Sequence, residues 1–234
     1  MLIGAVNKFT LLDYPEHLAA IIFTATCNFR CGYCHNSIFV LPEKIDTELQ
    51  GQFIPPDRII NFLKQRRNLL DGVVISGGEP TIQPDLPDFI RQIKELGYLV
   101  KLDTNGTNPQ MLEYLLQEKL VDFIAMDIKS SWDKYPSLIG RAINSSELQT
   151  SVELIKTQAP DYEFRSTILP FYHSRDTLKA MAEQIKGAKT WALQAFRNIS
   201  VLDQNFSHLE SFSTNEMKSL QTELEAIIPN IVLR

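Results

Sequence analysis

Three cysteines, Cys27, Cys31 and Cys34, lie within eight residues of one another and are the only cysteines in a chain of 234 residues. Three thiolates on one short loop suit a soft metal centre. A structural zinc site or an ordinary iron–sulfur cluster takes four protein ligands, and no fourth cysteine is available. A four-iron cluster held by three cysteines leaves one iron free for a ligand that is not protein, much as a catalytic metal site keeps an open position. Two other readings fit the same residues. Cys31-Gly32-Tyr33-Cys34-His35 matches the C-x-x-C-H attachment motif of c-type haem. Cys27, Cys31, Cys34 and His35 also make a Cys3His zinc set, although adjacent Cys34 and His35 are poorly placed to reach one tetrahedral ion.

Further polar residues recur just after apolar runs. Ser76-Gly77-Gly78-Glu79-Pro80 pairs two glycines, which let the backbone approach a ligand, with a stiffening proline. An ordinary strand-to-helix turn uses the same residues. Asp103-Thr104-Asn105-Gly106 contains the turn dipeptide Asn-Gly, and Asp103 is an acceptor for an ammonium group or a cation. Asp127-Ile128-Lys129 puts two charges on one side of a strand, where burial requires that they pair with each other or with a ligand. Arg165, in Glu163-Phe164-Arg165, is either a solvent-facing edge residue or a planar fork for a carboxylate. Leu193-Gln194-Ala195-Phe196-Arg197 offers Gln194 and Arg197. His17, His173 and His208 read as surface or loop histidines.

The elements that must hold these residues alternate. A short strand is expected over 2–9, and the apolar run Leu18–Phe23 reads as a strand buried on both faces that leads directly into the cysteines. Residues 41–56, polar and punctuated by proline, read as a surface excursion. Helical periodicity follows over 57–70, then strand 72–75, helix 85–96, strand 98–102, helix 109–119, strand 123–126, helix 146–157, strand 162–169, helix 174–185 and strand 190–196. Strands alternating with helices imply parallel pairing with right-handed crossovers. The fold class is α/β, with six strand–helix units, too few for an eight-unit barrel. The candidate residues fall at the carboxyl ends of strands, where such sheets bind ligands. Residues 198–213 read as a loop and 214–228 as an amphipathic helix, followed by apolar 231–233. One domain over 1–234 is expected, with its core over about 18–197.

Composition sets outer bounds. A net charge of −5 gives no basis for electrostatic binding to nucleic acid or to an anionic membrane. The start of the chain lacks a secretion signal, and no apolar run approaches the roughly 18 residues of a membrane span. Clustered cysteines exclude a disulfide framework and point to the reducing cytoplasm.

C-x3-C-x2-C with Tyr33 before the last cysteine resembles the signature of the radical S-adenosylmethionine (SAM) superfamily. In that superfamily the open iron chelates the amino and carboxylate groups of SAM, and reductive cleavage releases a 5′-deoxyadenosyl radical. The resemblance implies a partial (β/α)6 barrel and a [4Fe–4S] cluster on Cys27, Cys31 and Cys34. It places Tyr33 among the SAM contacts and gives the backbone of Gly77, Gly78 and Glu79, which resembles the GGEP motif, to the SAM amino group. Asp103 takes the SAM ammonium or a monovalent cation. Asp127 and Lys129 resemble the Asp-x-Lys motif of glycyl-radical activases, with Asp127 at the ribose or a cation and Lys129 at the SAM carboxylate, joined there by Arg165. Gln194 stands where many activases carry a histidine for the ribose.

Tyr33-Cys34-His35-Asn36 resembles the activating enzymes of glycyl-radical proteins more narrowly. Phe9–Pro15 together with Cys27–Cys31 resembles activators of anaerobic ribonucleoside-triphosphate reductase, with Glu16 and Gly32 standing where that group has glycine and proline. This implies an oxidoreductase whose partners are a glycyl-radical enzyme as protein substrate and a flavodoxin- or ferredoxin-type electron donor. A minimal radical SAM enzyme acting on a small molecule and a zinc-binding structural or interaction domain are the alternatives.

Overall fold

The computed structural model describes residues 1–199 and 201–234. Strand β1 (Ile3–Thr10) pairs antiparallel with β2 (Ala19–Thr24). All of β2 except Phe23 is buried, as the continuous apolar run requires. Strands β3 (Gly72–Gly77), β4 (Leu99–Thr104), β5 (Phe123–Asp127), β6 (Tyr162–Ile168), β7 (Trp191–Ala195) and β8 (Ile231–Leu233) are then added one after another in parallel. Sheet order therefore follows chain order from β1 to β8. Among the described residues the first and last strands do not pair, and the sheet stays open as a partial barrel.

Parallel neighbours need crossovers, which the helices supply. Helices α1 (Pro42–Glu48) and α2 (Pro56–Gln65) lie between β2 and β3, α3 (Leu86–Glu95) after β3, and α4 (Pro109–Gln117) after β4. Helices α5 (Tyr135–Ile139) and α6 (Ser145–Gln158) follow β5, α7 (Arg175–Gln184) follows β6, and α8 (Thr214–Leu224) leads into β8. Their apolar stripes, such as Leu86, Phe89, Ile90 and Ile93 of α3, pack in one core with the outward-facing strand residues. Burying four such side chains stabilises by about 6–12 kcal/mol before conformational entropy is counted.

The structure adds elements at three places. The excursion over 41–56 contains α1, because Pro42 sits in its first turn, where a missing N–H leaves no bond unmade, and Ile45 is buried beneath it. The apolar residues 231–233, to which the sequence alone assigns no element, form an eighth strand in register with Trp191–Leu193. The expected loop over 198–213 includes a 3-10 turn at Gln204–His208, and its residue 200 lies outside the described residues. Among the described residues no helix is long and apolar enough to cross a membrane.

Candidate active site

The loop after β2 carries the cysteines and is laced to the loops after the neighbouring strands. Asn28 accepts a hydrogen bond from Asn105 at 2.8 Å and donates to Thr107 at 2.8 Å. Asn36 donates to the carbonyl of Gly77 at 3.1 Å, and the His35 ring, stacked on Phe196, donates Nε2–H to the carbonyl of Arg197. Arg30 turns back on its own loop and donates to the carbonyls of Cys27 and Phe29 at 2.6 and 2.7 Å. Polar side chains thus fix the loop against the carboxyl ends of β3, β4 and β7. Asn36 belongs to the run that resembles the activating enzymes and Asn105 to a turn dipeptide, but nothing in the sequence shows that Asn28 pairs with Asn105 and Thr107.

Glu79 knits the next two loops together. Its carboxylate is 1% exposed and accepts four hydrogen bonds, from Thr81 N and Oγ1, Thr104 Oγ1 and Asn105 N. Burial pushes its pKa up while these donors pull it down. With the side chain so engaged, only the backbone here is free for a ligand. The paired glycines have a packing cause too. Gly77 has φ of +114°, and a Cβ on Gly78 would lie 1.9 Å from the carbonyl oxygen of Thr26.

Strands β4 and β6 carry, and β5 ends on, opposite charges two residues apart: Lys101 and Asp103, Glu163 and Arg165, and Asp127 with Lys129 just beyond the last residue of β5. Lys101 pairs with Asp103, which also accepts from Ser76 Oγ at 2.9 Å. Lys129 pairs with Asp127 at 2.9 Å. Arg165, in the middle of the sheet and not at an edge, donates to Asp127 at 2.8 Å and to Asp103 at 3.3 Å. Glu163 is taken at 2.8 and 2.6 Å by both terminal nitrogens of Arg234. Burial alone would raise the carboxyl pKa values of Asp103 and Asp127, but the adjacent Arg165 and the lysines hold both below the usual range. Each of the two carboxylates is thus shared between a lysine and Arg165, and of the three cations Lys129 and Arg165 line the cavity. The repeated i, i+2 spacing was visible in the sequence at all three strands. Lys101 and Glu163 escape a reading that looks only at strand ends.

These parts face one cavity of about 420 Å³, within the usual range of small-molecule sites. The cavity brings together Cys27, Cys31, Cys34, Tyr33, Gly77, Gly78, Glu79, Asp103, Asp127, Lys129, Arg165 and Gln194, whereas Arg197, the candidate beside Gln194, does not line it. Asp13, Asn36, Ser76 and Thr167 join them. Gln194 accepts from Thr167 at 3.4 Å. The Tyr33 hydroxyl is buried with no hydrogen-bond partner among the described residues. His173 lies on a loop, one of its two expected places, but it is buried at 1% exposed, with its ring between the segments that follow β5 and β6.

The donor set fits a cluster. Burial pushes the Cys27 and Cys31 thiols up to about 12, so neither is a thiolate nucleophile in the bare site. Metal charge beside them would deprotonate them. Among the described residues no three His, Cys, Asp or Glu side chains converge closely enough for a single ion, as a zinc site would need. The irons of a cluster are each taken by a separate cysteine and need no such convergence.

Comparison with known proteins agrees with this geometry. The family profile described as Radical SAM superfamily matches residues 21–185, so the chain is a radical SAM protein. Over all of its length and 95% of the other's, it is 32% identical to a glycyl-radical enzyme activating enzyme of Methanocaldococcus jannaschii. The pyruvate formate-lyase-activating enzyme of Staphylococcus aureus is 30% identical over 77% of this chain and 74% of its own. The chain therefore belongs, within the radical SAM superfamily, to the glycyl-radical enzyme activating enzymes. Among solved structures, SuiB of Streptococcus suis superposes with a TM-score of 0.70 at 13% identity, covering 92% of this chain and 48% of SuiB, a likeness of fold. Membership of the superfamily implies a [4Fe–4S] cluster and SAM.

Proposed function

We propose that the protein takes a hydrogen atom from a glycine Cα of a glycyl-radical enzyme, and that its target is an anaerobic ribonucleoside-triphosphate reductase. The observation that carries the chemistry is the meeting of three thiols with the cationic Lys129 and Arg165 and their carboxylate partners in a single cavity. The full-length match to a glycyl-radical enzyme activating enzyme supports the substrate class. The Phe9–Pro15 run supports the particular target.

Cys27, Cys31 and Cys34 would hold the cluster, which supplies one electron to SAM when both are bound. Lys129 and Arg165 offer cations to a carboxylate, and the backbone at Gly77 and Gly78 faces an amino group. Gln194 takes the ribose side, and Tyr33 closes the wall beside the cysteines. Asp103 and Asp127 hold the cations in place. A monovalent cation at either carboxylate would have to compete with Lys101 and Arg165, so the reading does not depend on one.

The overall reaction balances. One electron from a flavodoxin- or ferredoxin-type donor and one hydrogen atom from the glycine convert SAM to methionine and 5′-deoxyadenosine, and the glycine keeps the unpaired electron. The reducing cytoplasm suits such a site.

The test is anaerobic reconstitution with iron and sulfide, then SAM, dithionite and the reductase, with Cys31→Ala beside the wild type. The expected outcome is 5′-deoxyadenosine and a glycine-centred paramagnetic signal on the reductase, both absent with the variant. 5′-Deoxyadenosine stimulated by a metabolite, with no signal on any glycyl-radical protein, would favour the small-molecule reading.

A further inference from the structure

Strand β5 ends at Asp127, and the two residues beyond it, Ile128 and Lys129, have left the regular ladder. Their four backbone polar groups are nonetheless all taken. Ile128 N–H donates to the carbonyl of Arg165 at 2.8 Å, and the Ile128 carbonyl accepts from Ser166 Oγ at 2.6 Å. Lys129 N–H donates to the hydroxyl of Tyr135 at 2.9 Å, and the Lys129 carbonyl accepts from His173 Nε2 at 2.9 Å. Side chains supply three of these four partners where the sheet no longer does.

Each partner is itself held. Tyr135 is fully buried, and its hydroxyl donates to the carbonyl of Asp127 at 3.3 Å while accepting from Lys129. Trp191 Nε1 donates to Ser166 Oγ at 3.0 Å. His173 Nε2 faces a carbonyl and so must carry a proton. Its Nδ1 lies 3.2 Å from both the N–H and the carbonyl oxygen of Leu169; that carbonyl already accepts from His173 N–H at 3.0 Å, so Nδ1 accepts from Leu169 N–H and one neutral tautomer serves both ends. The imidazole joins the chain after β6 to the chain after β5, directly behind the lysine.

We infer that His173 and Tyr135 are positioning residues that grip the backbone of Lys129 from both sides and so fix where its ammonium points. A lysine stem has four rotatable bonds, and its head can be aimed only if the backbone that bears it does not move. Ion pairing to Asp127 orients the head, while the two buried side chains hold the root. The inference deepens the proposed function, because it takes Lys129 as a contact to the SAM carboxylate.

The experiment uses full-length, cluster-loaded protein with His173→Leu, His173→Gln, Tyr135→Phe and Lys129→Met, each singly, and His173→Leu combined with Lys129→Met. Amide hydrogen exchange without SAM reads the grip, and equilibrium binding of SAM reads its consequence. His173→Leu and Tyr135→Phe are expected to speed exchange at the Lys129 amide about fivefold, the loss of one net hydrogen bond, with β2 and β3 amides unchanged. The SAM dissociation constant should rise about fivefold in His173→Leu and return towards wild type in His173→Gln, which restores a donor. With Lys129→Met already present, His173→Leu should add nothing, since the effect runs through the lysine.

Unchanged exchange at Lys129 would overturn the inference. So would an equal rise in the dissociation constant with and without the lysine. If Lys129→Met itself leaves SAM binding unchanged, the assignment of Lys129 to SAM falls, and the exchange result still decides the grip.

Discussion

Arg165 and Asp127 are register partners on adjacent parallel strands, and the guanidinium Nε donates to the carboxylate across that register at 2.8 Å. The same guanidinium reaches Asp103 on the next strand at 3.3 Å, so one side chain ties together the carboxyl ends of β4, β5 and β6. Its two acceptors are mutually repulsive carboxylates on neighbouring strands, and without the guanidinium between them only Lys101 and Lys129 would offset that repulsion.

Removing that cation is therefore costly. Arg165→Met is expected to destabilise the fold by about 3 kcal/mol, the lower end for breaking a buried pair, because water reaches 18% of Arg165 and 24% of Asp127. Chemical denaturation at neutral pH measures it. A loss under about 1 kcal/mol would mean that the lysines alone balance both carboxylates.

The same pairing gives the acid limb a defined sign. The Asp127 carboxyl is held below the usual range by Arg165 and Lys129, so the folded state binds its proton less readily than the unfolded state. That stability is fully present above about pH 5, begins to be lost as pH falls below the unfolded value near 3.9, and is gone only once pH has fallen through the still lower folded value. Between pH 6 and pH 3 the wild type should lose about 1 kcal/mol through this residue, and Asp127→Asn should lack that component. Parallel acid titrations of stability for the two proteins would show it as a difference in slope.

Gly78 tests whether the glycine pair serves packing. A Cβ there would sit 1.9 Å from the Thr26 carbonyl oxygen, and neither backbone has room to yield, because Gly78 N–H already donates to Thr24 and Glu79 N–H to Thr26. Gly78→Ala should cost about 3 kcal/mol even in protein without its cluster. A variant with normal stability but weakened SAM binding would instead assign the glycine to the ligand.

Metal removal should be felt as stability as well as colour. Cys31 is buried and belongs to the main core, while Cys27 and Cys34 pack against it, so a bound cluster links three points of one loop to the folded state only. Chelation of reconstituted protein should lower its melting temperature towards that of Cys31→Ser, and the variant should show no response to chelator. Iron and sulfide analysis before and after would confirm that the metal left.

Much of this was legible because burial on both faces writes a parallel strand as an unbroken apolar run. Leu18–Phe23, Gly72–Ile75 and Phe123–Met126 each became strands close to their expected bounds. The three-residue β8 was not legible as a strand, since Ile231–Leu233 is too short to show a period and its place is set by β7. Helix α1 was masked by Pro42, which starts a helix as readily as it breaks one. The site residues that announced themselves did so through rare types or charges on apolar strands. His173, Tyr135 and Asn28 did not, because each meets polar groups brought close only by the fold.

Gly32 shows how a departure from a related pattern acquires a physical reason. It stands where the activators it resembles carry proline, and a Cβ at this position would lie 2.3 Å from the ring of Phe206. That ring is stacked on Tyr172 and lies near Tyr33 and Phe171, so it cannot simply turn away. Asp203 N–H donates to the Gly32 carbonyl at 3.0 Å, which fixes the 3-10 turn over the cysteine loop. Gly32→Ala should therefore destabilise by about 2 kcal/mol through overpacking. The same substitution in a Phe206→Ala background should cost under about 0.5 kcal/mol, which makes the two positions strongly coupled. Denaturation of the two single variants and the double variant measures that coupling, and additive losses would show that Gly32 is required by the cysteine loop itself and not by the ring above it.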